Sequence, residues 1–377
     1  SFLLFCGGSC MMMAPPLLLL LLASAPAYAR SPRAALRPYH LLGNGTLHHG
    51  SPRPQDTRAH RVPLLVLIFS TEANGARRQE QHRTWLSHDW RDAAGEPVPW
   101  RYAYVLGRRG GGAAATIPPD ELVGDRLHLG RVEDTYLGLV HKTLEALRWA
   151  AASVSFEALL KTDDDSIAHV SRLWAWLGAA AVREASEASA AFLRWGRLYA
   201  GRLQVDSQVV RPNFTAADLW HPSWYPRDFL KWAVPVASFG ADRFPPHCSG
   251  GGYLLGRDAA ASLLAERARW VADPFPVEDA FLGVLAQRAG LAPTNLGPNL
   301  RGRQSEGCVV GVVCEETARH ALFEDPPASS PQGRALFAGR ILVHRVSSFE
   351  RAFAWLLLEP RRRSQGRARG EGKQRRG

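Results

Sequence analysis

The stretch that most constrains this 377-residue chain is Val62 to Phe69 (VPLLVLIF), eight residues in a row with no polar side chain. A strand that is apolar on both faces must be covered on both faces, as happens inside a parallel sheet flanked by helices. Arg101 to Leu106 (RYAYVL), preceded by Trp100, and Phe156 to Leu160 (FEALL) read as further strands. Between them, Tyr136, Leu139, Val140, Thr143, Leu144 and Leu147 recur at helical spacing, so Asp134 to Ala151 reads as a helix capped by Asp134 or Thr135. Val170 to Ala180, Ala259 to Trp270 and Val277 to Ala289 read as helices too. Strands alternating with amphipathic helices predict an α/β fold with a mostly parallel sheet.

The two ends differ from this body. Met11 to Ala29 is uncharged and apolar, contains Leu17 to Leu22, and ends in Ala27-Tyr28-Ala29. Residues 1–29 therefore read as a signal peptide or a short signal anchor, and either one implies the secretory pathway. Residues 30–61, rich in Pro, Gly, His and Arg, read as a stem or linker, and 361–377 as a basic tail unable to build a core. The formal net charge is +11, of which +7 lies in 361–377 and +5 in 30–61, leaving −1 for residues 62–360. Basicity confined to the tails argues against a nucleic-acid partner, which needs it on a folded face. The sequons at Asn44 and Asn213 agree with a secretory compartment, and there Cys308 and Cys314 are the short-loop candidates for a disulfide. Gly107 to Gly112 lacks the Lys-Ser/Thr ending of a phosphate-binding loop and reads as a flexible connection.

The strand at Phe156 runs straight into Lys161-Thr162-Asp163-Asp164-Asp165. Three adjacent carboxylates repel one another, and ligands of open α/β sheets bind outside such strand ends. A divalent cation such as Mn2+ or Mg2+ takes carboxylate oxygens and keeps positions for diphosphate oxygens; a solvated acidic turn is the simpler alternative. Glu278-Asp279 opens a helical segment, where carboxylates also suit the positive end of the helix dipole as plain caps. His344 closes the apolar run Gly339 to Val343, as a core histidine or a ligand. Gly250-Gly251-Gly252-Tyr253 is a turn or a place where backbone approaches a ligand.

Seven stretches appear together in one order over about residues 62 to 350. They are Arg77-Arg78 with Thr84-Trp85; Asp134-Thr135-Tyr136 with Lys142-Thr143; Leu159 to Asp165; Lys231-Trp232; Phe244 to Tyr253; Val277-Glu278-Asp279 with Gly283; and His344-Arg345-Val346. In these the chain resembles the β-1,3-galactosyltransferase family, the inverting glycosyltransferase family 31, which also holds β-1,3-N-acetylglucosaminyl and β-1,3-N-acetylgalactosaminyl transferases. The resemblance implies a single catalytic domain of GT-A type over residues 62–360, a Rossmann-like and mostly parallel sheet flanked by helices. It implies a UDP-sugar donor, Mn2+ or Mg2+, and a glycan acceptor on a glycoprotein, proteoglycan or glycolipid. It also implies the Golgi membrane with the catalytic domain in the lumen. Asp163, Asp165 and His344 are then metal ligands, and Arg78, Asp163, Asp164, Lys231, Trp232, Gly250, Gly251 and Gly252 donor-binding residues. Asp279 becomes the general base, with Glu278 beside it holding the acceptor hydroxyl or the base itself. Galactose is the first expectation for the sugar.

The chain departs from the family pattern at His82, which stands at a usual arginine, and at Gly138-Leu139-Val140, which replaces Asn-Leu-Thr. The acidic and histidine positions are intact, so catalysis is expected. An inactive carbohydrate-binding or chaperone-like lumenal homologue is the alternative.

Overall fold

The computed structural model describes residues 39–41, 47–49, 61–108, 120–185, 195–220, 222, 227–296, 312–314, 340–344, 346 and 348–357. Eight strands form the central sheet: β3 (Arg61–Phe69), β4 (Trp100–Arg108), β5 (Glu121–Val123), β6 (Arg126–Glu133), β7 (Ser155–Asp163), β9 (Tyr199–Gln204), β10 (His247–Gly256) and β11 (Thr294–Asn295). Their order is β11-β9-β10-β7-β3-β4-β6-β5. β3 is central and pairs in parallel with both β4 and β7, with Leu65 beside Arg101 on one side and Leu159 on the other. β6 continues the parallel run beyond β4, whereas β10 runs antiparallel between β7 and β9, and β5 antiparallel at the edge. This is the mostly parallel, helix-flanked α/β sheet expected of a GT-A-type chain. A second sheet of three strands joins β8 (Ile167–Ala168), β13 (Leu342–His344) and β12 (Val312–Cys314), with β13 in the middle.

The apolar run that opens the body shows why both faces must be covered. Leu65, Leu67 and Phe69 point into one core with Val140, Leu144 and Leu147 of α2 (Leu139–Ser153), Leu263 of α4 (Arg257–Arg269), and Phe281 and Leu285 of α5 (Glu278–Arg288). Leu64, Val66 and Ile68 point into the other, against Trp85 behind α1 (Gly75–Arg83), Leu173 and Leu177 of α3 (Val170–Ala185), and Phe349 and Leu356 of α6 (Phe349–Leu356). Each such side chain, fully buried, contributes about 1.5–3 kcal/mol. No helix among the described residues is long and apolar enough to cross a membrane.

Several local expectations change. α2 begins at Leu139, five residues after the expected cap, because Asp134 is used elsewhere. Its Oδ1 accepts the Gly107 amide at 2.8 Å and the Lys142 ammonium at 2.5 Å, while Thr135 Oγ1 accepts the Gly138 amide. Gly107 lies inside β4, where a Cβ would sit 2.6 Å from Asp134 Oδ1, while 109–112 of the expected connection lie outside the described residues. Gly250 to Gly252 lie within β10 and form no turn. Tyr39–Leu41 (β1) and Leu47–His49 (β2) pair antiparallel inside the expected stem. Cys248 is a buried free thiol, and Asn213 of the second sequon is exposed. The leader, the first sequon, Cys308, the side chain of Cys314 and the basic tail lie outside the described residues.

Candidate active site

β7 ends at Asp163, and the turn that follows sends the three carboxylates to different places. Asp164 is buried against α1: its Oδ2 accepts from Ser70 Oγ at 2.7 Å and Asn74 Nδ2 at 2.8 Å, and its Oδ1 from Arg77 at 3.1 Å. Asp163 and Asp165 turn instead toward His344, the last residue of β13. His344 Nε2 lies 3.4 Å from Asp163 Oδ2 and 3.3 Å from Asp165 Oδ1, and one ligand atom from each of the three residues falls within 4.8 Å of the others. Asp165 Oδ1 is shielded from solvent and takes no hydrogen bond. Two carboxylates and an imidazole gathered around such an atom fit a divalent cation that accepts mixed oxygen and nitrogen ligands, Mn2+ among them.

Close approach of two strands explains the glycines. β10 lies antiparallel to β7 with Gly252 opposite Thr162, and β13 crosses over the glycine stretch. A Cβ on Gly251 would sit 2.4 Å from His344 Nδ1, and one on Gly252 2.1 Å from Leu342 Cδ2. Only residues without a Cβ let the histidine reach the carboxylates here. Gly250 contributes through its backbone, with its carbonyl accepting from Lys161 Nζ at 2.7 Å and its amide donating to Asp279 Oδ2 at 2.8 Å.

The Asp279 side of the cleft is built by the first turn of α5. Asp279 Oδ1 accepts the Ala280 amide at 2.8 Å, and its carboxylate is partly exposed. Glu278 is buried, and its Oε1 accepts from Tyr253 Oη at 2.6 Å and Thr143 Oγ1 at 2.9 Å. Burial raises the Glu278 pKa, and the Asp279 charge adds to this, against the opposing pull of Lys161 and the two hydroxyl donors. Tyr136 lies within reach of the same charges. Burial, then Asp279 and Glu278, push its hydroxyl well above the usual range, while a hydrogen bond with Trp232 works the other way. The Lys231 ammonium pairs with Asp228 at 2.9 Å and sits 5.8 Å from the Tyr136 ring and 5.4 Å from the Trp232 ring.

Asp163 and Asp279 thus belong to one cleft, linked through Lys161 and the Gly250 peptide. Asp165, His344, Glu278, Gly251 and Gly252 gather with them, and Lys231 and Trp232 stand by Tyr136 on the Asp279 side. Arg78 joins this network one step removed, through Ser70 Oγ, which also donates to Asp164. It is buried behind the β3 exit, donating to Ser70 Oγ at 2.9 Å and to the Thr71 carbonyl, with its guanidinium 5.9 Å from the Tyr104 ring. His82, at the position of the family's arginine, pairs with Asp125 at 3.0 Å and packs on Tyr102 and Tyr104. Sequence reasoning gives Lys161, Tyr253, Thr143 and Tyr136 no such positions in the cleft. The signal available for Lys161 is a cation directly after the apolar Ala158-Leu159-Leu160 of a central strand, in a chain with four lysines.

Fold and site define an α/β protein in which β7 of the central sheet and β13 of the second sheet bring Asp163, Asp165 and His344 together, joined by hydrogen bonds through Lys161 and Gly250 to Asp279. The galactosyltransferase family model matches residues 76–297, and the chain belongs to that family of glycosyltransferases. It is 29% identical over 313 residues to the human acetylgalactosaminyl-O-glycosyl-glycoprotein β-1,3-N-acetylglucosaminyltransferase, a match covering 79% of this chain and 66% of that protein. It is 25% identical over 308 residues to mouse N-acetyllactosaminide β-1,3-N-acetylglucosaminyltransferase 4, covering 79% and 71%, and 30% identical over 254 residues to mouse β-1,3-galactosyltransferase 4, covering 62% of each. The chain spans about two thirds of the length of these relatives.

Proposed function

We infer that the protein is an inverting β-1,3-glycosyltransferase that moves a hexose from a UDP-sugar to a hydroxyl of a glycan acceptor. The observation that carries this reading is the unbroken path from Asp163 through Lys161 and Gly250 to Asp279, which sets the acidic strand end and a partly exposed carboxylate in one cleft. Asp163, Asp165 and His344 would hold the cation. When bound, Mn2+ or Mg2+ offsets negative charge on the diphosphate as UDP departs.

The chain's own groups carry the proton. Asp279 takes it from the acceptor hydroxyl while that oxygen attacks the anomeric carbon from the side opposite UDP. The C–O bond to UDP breaks as the new glycosidic bond forms, so the configuration inverts and one base suffices. The Gly250 and Ala280 amides hold both Asp279 oxygens in place, which keeps the carboxylate aimed. Glu278, fixed by Tyr253 and Thr143, backs the base from the buried side. Tyr136, Lys231 and Trp232 line the acceptor side, where aromatic faces and a cation suit a sugar ring.

The relatives' names include both N-acetylglucosaminyl and galactosyl transfer, so galactose and N-acetylglucosamine head the range of donors, with N-acetylgalactosamine next. Acceptors are glycans of glycoproteins, proteoglycans or glycolipids, met in the Golgi lumen with the N-terminal segment as the targeting or anchoring element. The test is UDP release from a panel of the three donors with Mn2+ and mixed glycan acceptors. Acceptor-dependent release that disappears in Asp165→Ala supports the reading; UDP binding without turnover across the whole panel would instead support an inactive carbohydrate-binding homologue.

A further inference from the structure

Lys161 moves neither the proton nor the sugar, yet its ammonium lies where the two halves of the cleft touch. The side chain is fully buried in β7, with Nζ 5.0 Å from the Phe69 ring and 5.8 Å from the Tyr253 ring. Burying an ammonium in a sheet interior is unfavourable unless acceptors hold it. Two do: Asp163 Oδ1 at 2.7 Å and the Gly250 carbonyl at 2.7 Å.

On the reading of the cleft as a cation-dependent sugar transferase, we propose that Lys161 is the positioning residue that couples the cation site to the base. Its ammonium occupies one oxygen of Asp163, so that only Oδ2 faces His344, and it tethers the Gly250 peptide whose amide orients Asp279. Two consequences of opposite sign follow. Without the lysine charge, Asp163 offers both oxygens in a more negative pocket, so a divalent cation binds more tightly. Without the tether, the Gly250 peptide is released and Asp279 loses its aim, so turnover falls. A general loosening of the fold would weaken both together.

The experiment compares the full chain with Lys161→Met and Lys161→Arg, reading free Mn2+ by electron paramagnetic resonance and the kinetics of UDP release. Lys161→Met is expected to bind Mn2+ about tenfold more tightly. Its kcat should fall about 100-fold, with the donor KM little changed. Lys161→Arg should restore ordinary Mn2+ affinity and part of kcat. If Lys161→Met does not fold, Lys161→Gln, which drops the charge and keeps an N–H donor, tests the charge alone: Mn2+ is expected to bind more tightly than to the unaltered chain, and weaker binding overturns the role. Mn2+ binding that weakens in step with turnover, or a kcat within threefold of the unaltered chain, overturns the role of Lys161. Mn2+ binding by the unaltered chain that Asp165→Ala leaves unchanged removes the cation reading itself, and the Lys161 role with it.

Discussion

Gly251→Ala gives the cation site a steric test. The added Cβ would lie 2.4 Å from His344 Nδ1, 2.6 Å from Cγ and 2.9 Å from Cε1, so the whole ring is in the way rather than the tip of a flexible chain. Ordinary contact begins near 3.4 Å, so the ring must retreat by about 1 Å or the two strands must part, a strain of about 1–3 kcal/mol. His344 Nε2 lies 3.3–3.4 Å from its two carboxylate neighbours, and a displacement of that size takes it out of the group. Mn2+ affinity should therefore drop about 10- to 100-fold, the size of effect seen when the groups that orient a metal ligand are lost. Gly252→Ala is the control, because its Cβ clashes with the end of Leu342 and not with the imidazole, and should lower stability with far less effect on the cation. Isothermal titration with Mn2+, beside thermal unfolding of both variants, reads the difference. Equal Mn2+ affinity in Gly251→Ala and the unaltered protein would refute the role of His344.

Two further expectations concern stability. Lys142 and Asp134 form a buried pair, with the ammonium also donating to the Ser70 carbonyl at 2.6 Å, so Lys142→Met alone should cost about 3–5 kcal/mol in urea unfolding. The double variant with Asp134→Asn should recover part of that loss, and strict additivity would contradict the pairing. His169 precedes α3 and accepts the Arg172 amide on Nδ1; burial, then the Arg172 charge, lower its pKa to about 3. A histidine depressed in this way contributes in full above its ordinary value of 6.5 and loses that contribution as pH falls toward about 3. Through that window stability should decline by about 1.4 kcal/mol per pH unit relative to His169→Asn, and parallel melting curves for the two proteins would exclude it.

The sequence made the frame of the sheet legible where burial leaves little choice. Val62 to Phe69 has no polar face to turn outward, and Phe156 to Leu160 runs into carboxylates that a core strand does not tolerate beyond its end. Elements decided by distant partners were harder to read. Asp134 has the chemistry of a helix cap, yet a lysine eight residues on and a glycine amide from β4 claim its carboxylate. The three glycines of β10 resemble a turn because nothing local reveals that His344 and Leu342, some ninety residues later, press against Gly251 and Gly252. The acidic run names its residues without dividing the roles among them. Asp164, as acidic as its neighbours, is taken by Ser70, Asn74 and Arg77. Arg78, expected near the donor, is committed to Ser70 and the Thr71 carbonyl where β3 ends, one hydroxyl away from Asp164.

Asp279→Asn tests the central claim most directly, because it removes the basic oxygen while keeping the shape of the side chain and an acceptor for the Gly250 amide. With Mn2+, the preferred UDP-sugar and a saturating acceptor, the variant should bind UDP as the unaltered protein does and lose about 100- to 10,000-fold in kcat. Turnover within threefold of the unaltered protein would mean that the proton leaves the acceptor by another route and that Asp279 is not the base.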